Sequence, residues 1–435
     1  MDEMLITTQT YSQKWERWFT LLLVFHVLAQ CLFSAIEKNT LWGEMFVLIA
    51  LFYITTIPYH LNGHQKHILA GVCMWVFFFP VYGVFISMFY WQSDFNMLYL
   101  GRHLVFFYFC IFFFFAFKHA YLIIDCLKKY SKHLLWFIPF SMVFLHGGGL
   151  ALPTVLGLML VGLSQWKDKP KFFYLGLALS FLVVIRTSAS GTNKFILAFY
   201  LCFLFLNFIA RFWTKYISTK ISKIIFAILL IAGILFTVKM AASFYQQTTQ
   251  MALLGQTVAS LEETSKDAGT DLGGFWRLIL WSHLYGRFLE FPWGLGLGTP
   301  LFSEWLDGFV MLNLSRPGEN YVQGAHNSFI TFIVRLGIPA LLLFLYLFYH
   351  ITKMAIAVFK KIQFKPFKTS ESRLLTGILW AFASIFIGSN FNVALESPLH
   401  AGSFWFSFGL FARVFGDYLA VSPNNRPTTN SLDDE

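Results

Sequence analysis

At 435 residues and 50.2 kDa the chain has room for more than one domain of ordinary size, yet 57% of its residues are hydrophobic and only 12% are charged. Soluble globular proteins run at roughly 45–50% apolar and about 25% charged. A mean hydropathy of +0.62, with 54 Phe and 14 Trp, therefore excludes soluble enzymes, coiled coils, disordered chains and secreted disulfide scaffolds, and predicts a polytopic membrane protein. The formal net charge of +10 is no nucleic-acid signature until it is located relative to a bilayer.

Hydrocarbon about 30 Å thick needs roughly 20 apolar residues in helix. Runs of that kind predict an all-α polytopic fold of about 12 transmembrane helices, near residues 17–36, 44–60, 68–91, 100–117, 134–147, 149–166, 172–186, 194–210, 223–240, 327–349, 373–391 and 401–420. The fifth and sixth are joined only by Gly147, Gly148 and Gly149, which reads as a tight helical hairpin or as one long kinked segment. The chain thus divides into an N-terminal membrane region of about nine spans (1–240), a large external loop (241–326), a C-terminal membrane region of about three spans (327–420) and a disordered cytoplasmic tail (421–435).

Placing the N-terminus inside collects Lys118, Lys128, Lys129, Lys132, Lys167, Lys169, Lys171, Arg211, Lys215, Lys220 and Lys223 on one side, with Lys353, Lys360, Lys361, Lys365, Lys368 and Arg373. The short loops opposite hold only Lys38, Arg102, Arg186 and Lys194, so the positive-inside rule puts both termini in the cytoplasm. The first span resembles a signal peptide, with Lys14 and Arg17 before an apolar run, but the spans that follow make it a retained anchor. Cys31, Cys73, Cys110, Cys126 and Cys202 all fall in spans or on the cytoplasmic side, so neither a disulfide framework nor a zinc-type cluster is expected.

Between the ninth and tenth spans lie about 86 residues, longer than a structureless connection usually is. This loop is acidic within a basic chain: Glu262, Glu263, Asp267, Asp271, Glu290, Glu304, Asp307 and Glu319 face only Lys266, Arg277, Arg287 and Arg316. From Gly274 to Leu284, apolar residues at helical spacing flank Arg277 with Trp276 and Trp281, which predicts a membrane-interface helix. Arg277 there either snorkels to the headgroups or binds a ligand. The following Pro292-Trp293-Gly294-Leu295-Gly296-Leu297-Gly298 is a shaped turn, and without a Lys-Ser/Thr pair or a strand before it, it is not a nucleotide fingerprint. The loop closes on Ala325-His326-Asn327-Ser328-Phe329, where Asn327 or Ser328 is a natural N-cap for the tenth span. His326 then stands beside four unpaired N–H groups and the positive end of a helix dipole facing the external surface, as a structural residue, a general base or a phosphate contact. The loop holds no Asp-x-Asp and no His/Cys cluster, so no metal site is expected.

Taken together, these segments resemble the O-antigen ligase and polymerase (Wzy-C) superfamily of integral-membrane glycan transferases. The resemblance rests on Arg277 with Trp281, on Pro292 and Trp293 with the three glycines, and on His326-Asn327-Ser328-Phe329 followed by Leu336-Gly337-Ile338. A Ser-Arg-Gly-like element usual in the family is replaced here by Thr187-Ser188-Ala189-Ser190-Gly191-Thr192-Asn193-Lys194, where Arg186 or Lys194 supplies the missing charge. Arg335 stands where many members place an acid, and Glu396 in the last external turn is its candidate partner.

The resemblance implies transfer of a glycan from an undecaprenyl diphosphate carrier to a sugar hydroxyl at the periplasmic face of a bacterial inner membrane. Arg277, Arg287, Lys194, Arg186 and Asn327 would bind the diphosphate, and His326 would take the acceptor proton, with Glu396 as the alternative base. No cofactor, no metal and no nucleic acid enter; the partners are the lipid-linked glycan, a glycan or lipid A-core acceptor, membrane lipids and a chain-length regulator. The departure from the Ser-Arg element leans towards O-antigen or capsule polymerase over ligase. The rival from another class is a transporter of an anionic substrate, against which stands the lack of a sequence repeat between halves.

Overall fold

The computed structural model describes residues 61–89, 95, 97–144, 152–166, 170–186, 196, 201, 281, 283–299, 301, 327–362, 368–390, 395 and 398–420. Predicted spans one, two and nine, nearly all of span eight, the Gly147–Gly149 junction, the tail and most of the external loop lie outside them. Among the described residues the secondary structure is entirely helical. Among these residues four helical stretches, Gly63–Phe89, His103–Tyr130, Ser328–Lys361 and Ser370–Ser389, are long and apolar enough to cross a membrane.

The first, α1 (Gly63–Phe89), opens on a capping box in which Asn62 accepts from Gln65 N at 2.9 Å and Gln65 returns the bond at 3.1 Å. A π turn at Met74–Phe78 interrupts it and sets Trp75 against Phe107, Phe332, Phe344 and Trp405. After α2 (Met97–Tyr108) comes α3 (Ile111–Phe144), which bends at His119. Predicted span four stops at residue 117, but the helix runs on past Lys118 and Asp125. Ala120, Ile123, Ile124 and Leu127 carry its buried stripe onward at helical spacing, so the polar residues share the turns without ending them.

Helices α4 (Leu152–Ser164), α5 (Pro170–Arg186), α6 (Ser328–Lys361), α7 (Ser370–Ser389) and α8 (Pro398–Ala420) follow. Helix α4 lies against α7 through small residues: Gly157 meets the Ala381 backbone, and a Cβ on Gly377 would stand 2.8 Å from Val161 N. With lipid as solvent there is little hydrophobic drive between helices, so such close backbone approach is what holds them. Helices α3, α7 and α8 share an aromatic seam in which Phe382 stacks on Phe408 and Phe411, each at 5.0 Å.

Near the first turn of α1, a polar fastening ties three helices together. Gln65 Nε2 donates to Asp417 Oδ1 at 2.8 Å, Asn62 Nδ2 to Gly416 O at 2.6 Å, and Tyr121 OH to Asp417 Oδ2 at 2.9 Å. Arg413 pairs with the same carboxylate at 2.7 Å, so both carboxylate oxygens of Asp417 are engaged.

Candidate functional site

The site is organised by a break in α6. Gly337 has φ 68 and ψ −155, a conformation open in practice to glycine alone. Phe329 and Phe344 show how sharp the break is: their rings lie 5.1 Å apart, whereas a continuous helix would separate residues 15 apart by roughly 22 Å. Residues 328–336 therefore form a half-helix folded back on 338–361. The sequence predicted one continuous tenth span; the structure corrects this to a helix of membrane-spanning length with a half-helix folded back before it. The signal was present in Gly337-Ile338-Pro339, since a proline two residues after a glycine suits the first turn of a new helix, where its missing N–H is not needed.

The glycine turn is what stabilises the break. Leu295 N donates to Val334 O at 3.0 Å and Gly296 N to Arg335 O at 2.9 Å, meeting carbonyls at the end of the half-helix. Ile338 N, opening the next helix, donates to Pro292 O at 2.8 Å. Gly294 and Gly296 have φ of 105 and 84, and their freedom lets the turn pass directly over Arg335, Leu336 and Ser87. Ser87 Oγ accepts from Leu297 N at 2.7 Å while donating to Gly83 O, and Tyr82 OH donates to Trp293 O at 2.7 Å, which fixes the turn to α1.

Arg335, expected as an intramembrane charge paired with Glu396, is buried under this turn. Its Nη1 donates to the carbonyls of Gly296, Leu297 and Thr299 at 3.2, 3.3 and 2.9 Å. A guanidinium gathering three carbonyls is a bracket for the glycine turn.

Of the two caps the sequence allowed, Asn327 rather than Ser328 is the N-cap of the half-helix: its Oδ1 accepts from Ile330 N at 3.1 Å. Its position differs from the expectation of an external surface, because the fold-back buries it to 7% exposure and buries Ser328 completely. Phe344, which touches the first turn of the half-helix, lies roughly 9 Å along 338–361 from the break by helical rise. The dipole of 328–336 therefore directs its positive end into the protein interior and away from the glycine turn. Ser328 Oγ accepts from Leu395 N at 2.9 Å, which joins this terminus to the turn between α7 and α8.

Arg287 belongs to the helical residues 283–290 that lead into the glycine turn. Its Nη1 meets Glu290 Oε2 at 3.1 Å, its plane lies 4.9 Å from the Phe291 ring centroid, and its buried Nε has no hydrogen-bond partner among the described residues. His283, one turn earlier, was not singled out in the sequence, although its spacing of four from Arg287 put both on one helical face. Burial, and then the Arg287 guanidinium, lower its pKa from the ordinary histidine value, while Glu290 opposes them. Arg186 ends α5. Arg277, Lys194, His326 and Glu396 lie outside the described residues; His326 adjoins Asn327 in sequence, and Glu396 adjoins Leu395.

With the geometry in hand, a family profile described as O-Antigen ligase matches residues 173–345. That stretch includes Arg277, Arg287, the glycine turn, His326, the half-helix and the break. No curated protein matches the chain.

Proposed function

We propose that this chain of apolar helices, whose residues 173–345 match an O-Antigen ligase profile, moves a glycan from undecaprenyl diphosphate to a sugar hydroxyl at the periplasmic face, as an O-antigen or capsule polymerase. One observation carries the reading: a buried helix N-terminus, held by a dedicated break and turn, meets the α7–α8 turn through Ser328 and Leu395. Such a terminus favours an anion, and a diphosphate is the leaving group of this reaction.

In the proposed step the acceptor oxygen bonds to the anomeric carbon as the bond from that carbon to the diphosphate oxygen breaks. The acceptor proton passes to His326, with Glu396 as the alternative base, and the electron pair leaves on undecaprenyl diphosphate. Arg277, Arg287, Lys194, Arg186 and the Asn327 terminus hold the diphosphate while its negative charge grows. Among the described residues the Nε of Arg287 has no partner, which leaves it a donor beside its pairing with Glu290.

Transport of an anion is the second reading, and the broken α6 favours it, since discontinuous helices bind anionic groups in secondary transporters. The family match supports the transferase. The test is purified full-length protein with an undecaprenyl diphosphate-linked oligosaccharide: product chains should lengthen and undecaprenyl diphosphate should be released, in EDTA as in buffer. Uptake of an anionic sugar into proteoliposomes without any transfer would replace the transferase by the transporter. Transfer that needs added magnesium or manganese would overturn the metal-free chemistry.

A further inference from the structure

Where α1 and the second half of α6 meet, at the end away from the glycine turn, three imidazoles gather. His67 of α1 stacks on His350 of α6, with ring centroids 4.3 Å apart and planes 15° apart. Tyr346 OH lies 2.8 Å from His67 Nδ1, and the Tyr346 and Tyr349 rings flank His350 at 4.5 and 5.1 Å. His350 is 7% exposed, and its buried Nδ1 has no hydrogen-bond partner among the described residues. The charged groups acting on His350 are His67, Lys353 and His64, and those acting on His64 are Lys353 and His67. All are basic. Lys66 is exposed beside them in sequence. From α8, which packs on both α1 and α6, come Asp417 and Arg413, engaged with Gln65, Tyr121 and each other, and Tyr418, whose carbonyl takes Lys361.

A metal does not explain the cluster: stacked rings turn faces rather than nitrogens to each other, and among the described residues no group of three such side chains could hold an ion. Imidazoles stack favourably while at least one is neutral, whereas two imidazolium ions at this separation, beside Lys353, repel. We propose that the His67–His350 stack is a proton-operated clasp between α1 and α6, closed while neutral and opened by acid on the side that carries Lys360 and Lys361, which the positive-inside rule places in the cytoplasm. Its effect is felt at the far ends of the same two helices. Tyr82 OH of α1 donates to Trp293 O and Ser87 Oγ accepts from Leu297 N, while Ile338 N of α6 donates to Pro292 O, so the glycine turn is held by both. Helices that part at one end cannot both keep that turn in place. Gly71, one turn from His67, meets Leu343 and Leu347 with no room for a Cβ, so parting opens a gap there. The π turn at Met74–Phe78, between the clasp and Tyr82, is the point at which α1 can bend. Acid on the cytoplasmic side thereby slows transfer at the opposite face, a consequence that rests on the transferase reading above.

The experiment uses the full chain, uniformly oriented in proteoliposomes, with the cytoplasmic side moved from about pH 8 to about pH 5 and the other side held neutral. Spin labels at Lys66→Cys and Lys360→Cys, in a chain whose native cysteines are replaced by Ala, report the separation of the two helices. Acid should lengthen it reversibly by several ångströms, while glycan transfer from an undecaprenyl diphosphate-linked oligosaccharide falls severalfold. His350→Phe keeps a stacked ring that takes no proton and should lose both responses. His67→Gln removes the opposing charge and should lose them too, even if His350→Phe fails to fold. A label separation that ignores pH, or that responds equally in the folded variants, overturns the clasp. Such a result alongside intact transfer leaves the enzyme reading standing; a histidine-dependent separation with no transfer at any pH removes the enzyme reading and keeps the clasp. A histidine-dependent separation with transfer indifferent to cytoplasmic pH overturns the link to the glycine turn.

Discussion

Arg335 shows how a single residue reads differently once its surroundings are known. In sequence an arginine eight residues into an apolar run points to function, because a charge within a membrane is costly. In the structure its Nη1 meets three carbonyls of the glycine turn, so its first role is to hold that turn on the half-helix. Arg335→Ala should lower the melting temperature of detergent-purified protein sharply, each buried acceptor left unmet costing on the order of 1–3 kcal/mol. Arg335→Lys should lie between, since an ammonium keeps the charge and loses the planar fork. Equal melting of all three proteins would show that the bracket holds nothing.

The half-helix is the element on which the site depends, and Gly337 is its hinge. A Cβ there would run into Pro292 O and the Trp293 carbonyl carbon, at a φ of 68 that other residues rarely adopt. Gly337→Ala should cost roughly 1–3 kcal/mol from the backbone alone, seen as a lower melting temperature and lost transfer, while Gly63→Ala, with open space at its Cβ, should leave both unchanged. Much of this was legible beforehand: Asn327 as a cap, the glycines as a shaped turn, and helices α4, α5, α7 and α8 within a few residues of their predicted ends. The fold-back was not, because Phe329, Ile333, Phe344 and Phe348 are as apolar as any spanning run. Hydropathy records that they avoid water without recording that they face one another. Nor was the extension of α3 through Lys118, where one charged face rides on a helix whose opposite stripe stays buried.

At the scale of the described helices, charge and helix direction agree along 338–361. Residues 338–361 lead from the glycine turn at one end to Lys360 and Lys361 at the other, where Lys361 Nζ donates to Tyr418 O at 2.6 Å. Cations in the last turn of a helix suit its dipole and the cytoplasmic side alike. Reporter fusions at Lys129, Lys169, Tyr216 and Lys361 should therefore read cytoplasmic and those at Lys266 and Glu319 periplasmic; an external reading at any of the first four breaks the twelve-span arrangement.

The central claim is that the Asn327 terminus holds the diphosphate while His326 beside it takes the proton. Its most direct test is the rate of glycan transfer against pH for folded, purified wild type and His326→Ala. A histidine base works only when neutral, so the wild-type rate should fall as pH drops through its titration. His326→Ala should be slower by about 10²–10⁴-fold and lack that limb. A His326→Ala protein with near-native turnover and an unchanged pH profile would contradict the account.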